Sequence, residues 1–345
     1  MPAKALAAMS GGVDSSAAAA LTLEEGFDCT GLTLKLCDYH EEDENCAKQA
    51  ARILGIPHRL LDLGGVFYSK VILPFIKTYE EGATPNPCVN CNRDIKFAFP
   101  LFISEGLAFD VYLTGHYAQV GKSGGRWLLK KAIDPKKDQS YVLYSLGQEI
   151  LSRVYFPLGS RTKGEAREIA RERGLLNTEK PESQDICFVP DGDYGAVMES
   201  YRGKTYDEGD ILDRDGNVIG RHKGHVRYTL GQRRGLGVAL NEPLYVSAKD
   251  AAANTITLGP ESSLYSKTLT ADRINLIACE TLEKPMRVSV KTRYLQKEHP
   301  AMAVQTGPDE IRVDFDEGQR AVTPGQSAVL YDGDVVIGGG VIKSQ

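Results

Sequence analysis

Ser10-Gly11-Gly12-Val13-Asp14-Ser15-Ser16 is the stretch that decides the fold. It follows a short apolar run at residues 5–9, which predicts a buried strand, and it precedes residues 17–23, which have the composition of a helix. Glycines at a strand–helix junction let backbone N–H groups surround an anion at the positive end of the helix. The sequence therefore predicts an α/β unit with an anion site at the end of its first strand.

Strand-like and helix-like segments continue to alternate along the first third of the chain. The predicted strands are residues 30–36, 58–63 and 111–114, and the predicted helices are residues 45–54, 66–79 and 95–104. This alternation is typical of a parallel sheet with helices on both faces. Ligands of such sheets bind beyond the carboxyl ends of the strands, where residues 10–16 and Gly115-His116-Tyr117 are both expected.

The character of the sequence changes after about residue 201. Short β-prone runs alternate there with turn pairs such as Asp215-Gly216, Asp332-Gly333 and Gly338-Gly339. This pattern predicts two small β-rich domains, of which the last is a β-barrel. The expected domains are residues 1–202, 203–265 and 268–345.

Composition limits the class of protein. A net charge of -5 argues against a general nucleic-acid binder, although a local basic patch would escape such an average. No apolar run is long enough to span a bilayer, and the N-terminus lacks the features of a secretory or transit signal. Seven cysteines are an odd number and do not suggest a secreted disulfide framework, so a cytoplasmic protein with free thiols is expected.

The residues of the glycine turn indicate which anion it binds. Ser10, Ser15 and Ser16 can donate hydrogen bonds to phosphate, whereas the Asp14 carboxylate would need a divalent cation, so Mg²⁺ is expected at Asp14. Because no lysine follows the glycines, the turn is not a Walker loop. It resembles the pyrophosphate loop of N-type ATP pyrophosphatases, which implies cleavage of ATP between the α and β phosphates and adenylation of a substrate. The turn alone leaves the acceptor open.

Two cysteines indicate sulfur chemistry. Cys91 follows the proline-set segment Thr84-Pro85-Asn86-Pro87 near the start of a predicted helix, where the helix dipole is expected to lower its pKa and favour the thiolate. Cys187 lies far along the chain in Asp185-Ile186-Cys187-Phe188. One thiol that carries a sulfane sulfur and a second that releases it would form a sulfur-transfer pair.

With these motifs the chain resembles the tRNA-specific 2-thiouridylase family. The matching segments occur in the family's order: residues 10–16, Thr84-Pro85-Asn86-Pro87 with Cys91-Asn92, Gly115-His116-Tyr117, Lys137-Asp138-Gln139-Ser140, residues 185–188, and Tyr228-Thr229-Leu230-Gly231-Gln232-Arg233. The resemblance implies an α/β domain like that of the adenine nucleotide alpha hydrolases, followed by the two β-rich domains. It also implies ATP-dependent 2-thiolation of the wobble uridine in tRNAs for Lys, Glu and Gln, through an adenylated C2 oxygen.

The resemblance implies the site residues as well. Those expected to bind ATP are Ala8, Met9, Ser10, Gly11, Gly12, Val13, Asp14, Ser15, Ser16, Leu34 and Gly115. Those expected to face the target base are Asn86, Pro87 and Cys88. Those expected to contact tRNA are Lys137, Asp138, Gln139, Arg293 and Tyr294. Cys187 would carry a persulfide, and Cys91 would release its sulfur through a transient disulfide between the two.

The implied partners are tRNA and a sulfur donor, which is a cysteine desulfurase, a sulfur relay protein or free sulfide. A monomer is expected when the protein is free, with no membrane attachment. Arg233 and Arg234, flanked by glycines, are expected to contact RNA phosphate.

Cys88 departs from the family's familiar form, which has aspartate after Thr-Pro-Asn-Pro. The substitution creates Cys88-x-x-Cys91, and with Cys187 it gives three thiols. Three cysteines resemble the pattern of related thiolases that hold a [4Fe–4S] cluster with one iron open to sulfide. Sulfur delivery from a Cys187 persulfide and from a cluster on Cys88, Cys91 and Cys187 therefore remain alternatives, with a structural zinc site as a third.

Two other classes of function remain open. A small-molecule ligase or amidotransferase with the same glycine turn would not need Cys91, Cys187 or the β-rich tail. A non-catalytic RNA-binding protein would bind tRNA and release no pyrophosphate.

Overall fold

The first layer of the fold is a parallel sheet built around the strand that precedes the glycine turn. The computed structural model describes residues 2–37, 41–107, 109–175, 186–189, 191–238 and 242–344. In these residues a five-stranded sheet has the order β3-β2-β1-β4-β7. Its strands are β1 Lys4–Ala8, β2 Asp28–Lys35, β3 His58–Asp62, β4 Val111–Leu113 and β7 Val154–Tyr155. All four neighbouring pairs are parallel, so the carboxyl ends of β1 and β4 lie side by side.

Helices cover both faces of this sheet, as predicted. Successive residues of β1 belong to different buried clusters, with Leu6 on one face and Ala5 and Ala7 on the other. The helices are α1 Val13–Glu24, α2 Glu41–Leu54, α3 Gly64–Phe67, α4 Leu73–Glu80, α5 Pro87–Cys91, α6 Ala98–Leu107, α7 Ser140–Leu143, α8 Gln148–Leu151, α9 Lys163–Glu172 and α10 Tyr194–Arg202. Wider π-type turns at Tyr68–Ile72 and Asn92–Phe97 connect α3 to α4 and α5 to α6. None of the described helices is long and apolar enough to cross a membrane.

A four-stranded sheet follows, in the order β10-β11-β8-β9. Its strands are β8 Gly209–Leu212, β9 Val218–His222, β10 Tyr245–Asp250 and β11 Thr255–Gly259. His225 connects this sheet to the α/β part, because its Nδ1 lies 3.1 Å from Asn254 Oδ1 and its Nε2 lies 3.2 Å from the Glu80 carbonyl oxygen. The segment between β9 and β10 is therefore held against the end of α4.

The last part of the chain is the predicted β-barrel. Its strands are β12 Tyr265–Leu276, β13 Met286–Lys291, β14 His299–Gly307, β15 Glu310–Arg320, β16 Ser327–Asp332 and β17 Val335–Ile342. The antiparallel order β12-β15-β14-β13-β16-β17 closes because β12 also pairs with β17. Alternate residues of these strands, such as Val288 and Val290, point into a common buried cluster.

A hairpin from the α/β part extends the barrel sheet. Its strands are β5 Ala118–Ser123 and β6 Arg126–Lys131, and Lys130 of β6 is paired with Val335 of β17. The Lys131 ammonium donates to the Gly333 carbonyl oxygen at 2.8 Å and lies over the Tyr331 ring. This pairing has no signature in the sequence, and it couples the barrel to the region that follows Gly115-His116-Tyr117.

Candidate active site

The glycine turn lies at the carboxyl end of the central strand β1. Gly12 is the N-cap of α1, and it caps the helix with an extended backbone and without a side-chain bond, so the first-turn N–H groups are left for another acceptor. Gly11 has a φ of +77, and a Cβ at this position would lie 2.3 Å from the Asp43 carbonyl oxygen. This position therefore requires glycine, because both the left-handed backbone and the close approach of α2 exclude a side chain.

The structure corrects the predicted start of the first helix. α1 begins at Val13 rather than at residue 17, so Asp14, Ser15 and Ser16 lie in its first turn. Ser15 Oγ donates to the Gly12 carbonyl oxygen at 3.0 Å and accepts from the Ser10 N–H at 3.1 Å, while Ser16 Oγ donates to the same carbonyl at 3.1 Å. These two hydroxyls shape the turn, and backbone N–H groups are left as its main donors to an anion.

Asp14 does not fit its predicted role as a magnesium ligand. Lys163 Nζ lies 2.7 Å from both oxygens of its carboxylate, and the Tyr117 hydroxyl donates to Oδ1 at 2.7 Å. The charge that was expected to attract Mg²⁺ is therefore already neutralised by a lysine whose side chain is only 8% exposed. No local sequence pattern indicates that Lys163 meets Asp14, since the two residues are 149 positions apart.

Gly115 brings the end of β4 against the glycine turn. A Cβ on Gly115 would lie 2.7 Å from both the Asp14 carbonyl carbon and the Ser15 nitrogen, so the two backbones are in direct contact. Leu34, near the end of β2, is partly buried and packs against two neighbouring buried clusters. Gly115 and Leu34, both expected to bind ATP, thus lie at the same edge of the sheet as the turn.

His116 connects this edge to the cysteine region. Its Nδ1 lies 2.7 Å from Thr114 Oγ1, and its ring packs against Phe97 at a centroid distance of 5.6 Å. Burial and the nearby Lys96 ammonium lower the pKa of His116 to about 3. The ring is therefore neutral at physiological pH and acts as a hydrogen-bonding and packing group.

The Thr-Pro-Asn-Pro segment begins α5 and is held by the barrel. Asn86 Oδ1 accepts from the Cys88 N–H at 3.2 Å as the N-cap, and Pro87 occupies the first helical turn. Gln326 Nε2 donates to the carbonyl oxygens of Thr84 at 2.9 Å and Pro85 at 3.1 Å. The residues expected to face the target base thus lie where the α/β part meets the barrel, and Cys88 is exposed there.

The prediction that the helix dipole activates Cys91 is wrong. Cys91 is the last residue of α5, but the helical path continues through Asn92–Phe97, so the thiol is not at a free helix end. It is 5% exposed, and burial raises the pKa of Cys91 to about 12, against a smaller lowering by Lys96. Desolvation outweighs the dipole because the charged form is separated from water.

Cys187 lies in the same neighbourhood as Cys91. Phe188 and Val189 are buried in one cluster with Cys91 and Ile95, and the charges of Cys187 and Cys88 both act to raise the pKa of Cys91. Cys187 itself is exposed. Desolvation by nearby residues of the same protein raises the pKa of its thiol, and the Lys96 ammonium acts in the opposite direction. The structure therefore brings Cys88, Cys91 and Cys187 together, and all seven cysteines are free thiols. Residue 185 lies outside the described residues.

Lys96 is a residue of this site that sequence reasoning missed. It lies five positions after Cys91, across the π-type turn, where residues one wide turn apart share a face of the helix. Desolvation acts to lower the pKa of Lys96, and the charges of Cys91, Cys187 and Cys88 outweigh it and raise the pKa. Because Lys96 also acts on His116, one ammonium connects the cysteines with the edge that carries the glycine turn.

Replacing Lys96 with methionine is expected to slow alkylation of Cys187 and Cys91. Since Lys96 lowers the pKa of both thiols, its loss raises both pKa values and reduces the thiolate fraction at any pH below them. A rise of about one pKa unit would slow the reaction about tenfold. Iodoacetamide labelling followed by peptide mass spectrometry over a pH series measures the effect. Lys77→Met, at an exposed position of α4, is the control, and equal labelling rates in both variants would contradict the role of Lys96.

The three cysteines do not fit an iron–sulfur cluster in this arrangement. Among the described residues, which include Cys88, Cys91 and Cys187, no three His, Cys, Asp or Glu side chains are placed to hold a metal ion. The ammonium of Lys96 is instead the cation that these thiols share.

Comparison with known proteins identifies the family. The tRNA-specific 2-thiouridylase MnmA of Clostridioides difficile (strain 630) is 45% identical over 353 residues, which cover 99% of this chain and 98% of that protein. The proteins of the same name from Acetivibrio thermocellus and Treponema denticola are each 44% identical over 99% of this chain and cover 99% and 98% of their own lengths. This chain belongs to the tRNA-specific 2-thiouridylase family.

Family models match the three parts of this thiouridylase-family chain in succession. They are described as a tRNA methyl transferase HUP domain at 3–191, a tRNA methyl transferase PRC-barrel domain at 196–260 and an aminomethyltransferase beta-barrel domain at 266–342. Among solved structures, a 4-thiouridine synthetase–RNA complex with bound ATP is 18% identical, with a TM-score of 0.37, and covers 58% of this chain and 50% of that chain. NMN synthetase from Francisella tularensis is 13% identical, with a TM-score of 0.35, and covers 59% and 79%. These structural likenesses are too weak to carry an argument.

The residues that the family resemblance assigns to tRNA make internal contacts in the α/β part. Asp138 accepts from the N–H groups of Ala132 at 3.1 Å and Ser140 at 3.2 Å, and from the Ser140 hydroxyl at 2.8 Å. Gln139 Oε1 accepts from the Tyr117 N–H at 2.9 Å. These side chains fix the segment between β6 and α7, with Lys137 half-buried beside them, so that their contact with tRNA stays a prediction.

Arg293 likewise connects parts of the protein. Its Nη2 donates to the carbonyl oxygens of Leu230 and Ala321, each at 3.1 Å, and to Thr323 Oγ1 at 2.7 Å. The next residue, Tyr294, packs against Tyr141 with ring centroids 6.0 Å apart. Arg293 therefore holds the segment at residues 228–233 against the barrel, and contact of Arg293 and Tyr294 with tRNA also stays a prediction.

Arg233 and Arg234 are the exposed cations of that segment. In the part of the chain that the structure describes, neither has an ion-pair partner, and both are exposed between Gly231 and Gly235. Gly231 and Gly235 have φ values of +82° and +72°, in the left-handed region that glycine adopts readily. The guanidinium groups are therefore available to a phosphate backbone.

Proposed function

We propose that this chain is an ATP-dependent tRNA uridine 2-sulfurtransferase that acts on the wobble uridine of tRNAs for Lys, Glu and Gln. The observation that carries the proposal is that the glycine turn and the cysteine region lie near the same edge of the sheet. Gly115 contacts the glycine turn, and the ring of the next residue, His116, packs against Phe97. Phe97 ends the π-type turn that follows Cys91, and Cys91 is buried in one cluster with Phe188, the neighbour of Cys187. The 45% sequence identity to a 2-thiouridylase over 99% of this chain agrees with an anion site that lies near thiols.

The glycine turn performs the first half of the proposed reaction. N–H groups of the first turn of α1 bind the phosphates of ATP, and Leu34 and Gly115 border the nucleoside. The C2 oxygen of uridine attacks the α-phosphorus, the bond to the bridging oxygen breaks, and pyrophosphate leaves with the electron pair. The uridine N3 proton passes to solvent, and the base is left as an adenylate whose leaving group is AMP.

The cysteines perform the second half. The terminal sulfur of a Cys187 persulfide attacks C2, and AMP departs with the former C2 oxygen. The Cys91 thiolate then attacks the Cys187 sulfur, which releases 2-thiouridine and leaves a Cys91–Cys187 disulfide. A thiol reductant opens this disulfide, and a donor persulfide transfers its outer sulfur to the Cys187 thiolate and leaves as a thiol. Free sulfide can instead attack the Cys187 sulfur of the disulfide, which gives the Cys187 persulfide and the Cys91 thiolate. Lys96 favours the thiolate forms because its ammonium lowers the pKa of both cysteines.

The remaining parts of the proposal concern partners and organisation. The protein is proposed to be a cytoplasmic monomer when free, supplied with sulfur by a cysteine desulfurase, a relay protein or free sulfide. Its proposed domains are residues 1–202, 203–265 and 268–345, and the tRNA anticodon loop docks across them with Arg233 and Arg234 on its phosphates. The exposed cations of that turn support this orientation.

Purified protein with ATP, total tRNA and a persulfide sulfur donor is expected to form AMP, pyrophosphate and 2-thiouridine only when tRNA is present. Pyrophosphate release and nucleoside mass spectrometry measure the two halves. Equal pyrophosphate release without tRNA would indicate a small-molecule ligase, and tRNA binding without pyrophosphate release would indicate a non-catalytic protein.

A separate experiment tests the cluster alternative, which requires bound iron that the Cys88→Asp variant loses. It is iron and sulfide analysis of anaerobically purified wild-type and Cys88→Asp protein.

A further inference from the structure

Two helices begin side by side at the glycine turn. The buried faces of α1 and α9 are rich in small residues, with Ala17 and Ala18 on α1 and Ala166 and Ala170 on α9 in one cluster. Small side chains let the helices pack closely, and Asp14 and Lys163 lie in their respective first turns. The positive ends of both helix dipoles therefore point to one place.

Lys163 is fixed at this place by its own helix. Thr162 and Glu165 form a capping box around it, and the Lys163 N–H donates to Asp134 Oδ2 at 3.1 Å. The side chain then reaches Asp14 with both carboxylate oxygens at 2.7 Å from Nζ, and the residue is 7% exposed. The ion pair with Asp14 thus holds a nearly buried ammonium in the first turn of α9, directly beside the turn that is expected to bind phosphate.

We propose that Lys163, rather than a metal ion held by Asp14, supplies the protein's positive charge against the pyrophosphate end of ATP. This inference rests on the proposed function. Asp14 and Tyr117 position the ammonium, and on ATP binding one of its two bonds to Asp14 is exchanged for a phosphate oxygen. Lys163 remains protonated while the bond between the α-phosphorus and the bridging oxygen breaks, and it offsets the charge that collects on the departing pyrophosphate. Magnesium that accompanies ATP belongs to the substrate.

The test compares variants of the full-length protein in tRNA-dependent pyrophosphate release at varied ATP and free Mg²⁺. Lys163→Met is expected to lower kcat about 100-fold with a KM for ATP changed less than about threefold, because the contact acts on developing charge. Lys163→Arg should recover part of this loss. Asp14→Asn is expected to lose about tenfold in kcat or less and to leave the half-saturating free Mg²⁺ concentration unchanged. Arg171→Met, at an exposed position of α9, is the matched control.

Two results would overturn the inference. One is a Lys163→Met protein within about threefold of wild type in kcat. The other is an Asp14→Asn protein whose half-saturating Mg²⁺ concentration rises about tenfold or more, since that would make Asp14 a metal ligand. If Lys163→Met does not fold by circular dichroism, Lys163→Arg and the Mg²⁺ titration of Asp14→Asn decide. A wild-type protein that releases no pyrophosphate with tRNA contradicts the proposed function itself, which separates the two failures.

Discussion

Replacing Cys187 with serine is expected to abolish 2-thiouridine while pyrophosphate is still released on addition of tRNA. The hydroxyl cannot carry a sulfane sulfur, whereas the glycine turn, Gly115 and Lys163 are untouched by the change. The adenylated tRNA should accumulate and yield AMP slowly as water replaces sulfur. A pyrophosphate assay and nucleoside mass spectrometry on the same sample measure the adenylation step and the sulfur-transfer step.

Cys279→Ser is the matched control for this experiment. Cys279 is a free, half-buried thiol that packs against the barrel core, and it lies in none of the contacts described for the sulfur site. The control should thiolate tRNA at the wild-type rate. Normal 2-thiouridine formation by Cys187→Ser would show that sulfur travels by another route, and loss of pyrophosphate release in Cys187→Ser would place this residue in the first half-reaction instead.

Replacing Gly115 with alanine is expected to eliminate both halves of the reaction. The added methyl would lie 2.7 Å from the Asp14 carbonyl carbon and the Ser15 nitrogen, and these backbone atoms cannot move without shifting the first turn of α1. That turn presents the N–H groups for ATP, and a misplacement of about 1 Å there costs about 100-fold or more in rate. Pyrophosphate release with saturating tRNA is the measurement.

Gly121→Ala provides the comparison, because a Cβ on this residue of β5 would meet nothing within 4 Å. It should keep the wild-type rate, and both proteins should have similar thermal unfolding midpoints if the effect of Gly115→Ala is local. A Gly115→Ala protein that releases pyrophosphate normally would show that the edge of β4 is not part of the nucleotide site.

The sequence allowed the general plan of the site to be predicted because that plan depends on local pattern. A glycine turn between an apolar strand and a helix, repeated β–α alternation and turn-rich β segments each have a signature within a few residues. The parallel sheet, the position of residues 10–16 at its carboxyl edge and the final barrel followed from these signatures. The meeting of Cys91 with Cys187 came from chemistry and family resemblance instead.

The charges around the site could not be predicted in this way. Lys163 and Asp14 are brought together by helix packing between segments 149 positions apart, and no local pattern encodes that contact. The expected activation of Cys91 by a helix dipole was wrong because the sequence shows a nearby helix start but not the burial that raises the pKa. Lys96 was missed because its position relative to Cys91 depends on a π-type turn, which has no clear sequence signature.

The hydrogen bonds from Gln326 to the Thr84 and Pro85 carbonyl oxygens affect when this segment can be fixed during synthesis. The Thr84 N–H also donates to the Pro324 carbonyl oxygen at 2.8 Å, so the segment before α5 takes its hydrogen-bond partners from near the far end of the chain. On the ribosome Gln326 emerges 242 positions after Thr84, when the α/β part has begun to fold. A nascent chain that has not yet reached Gln326 would therefore lack the contacts that hold the segment before α5.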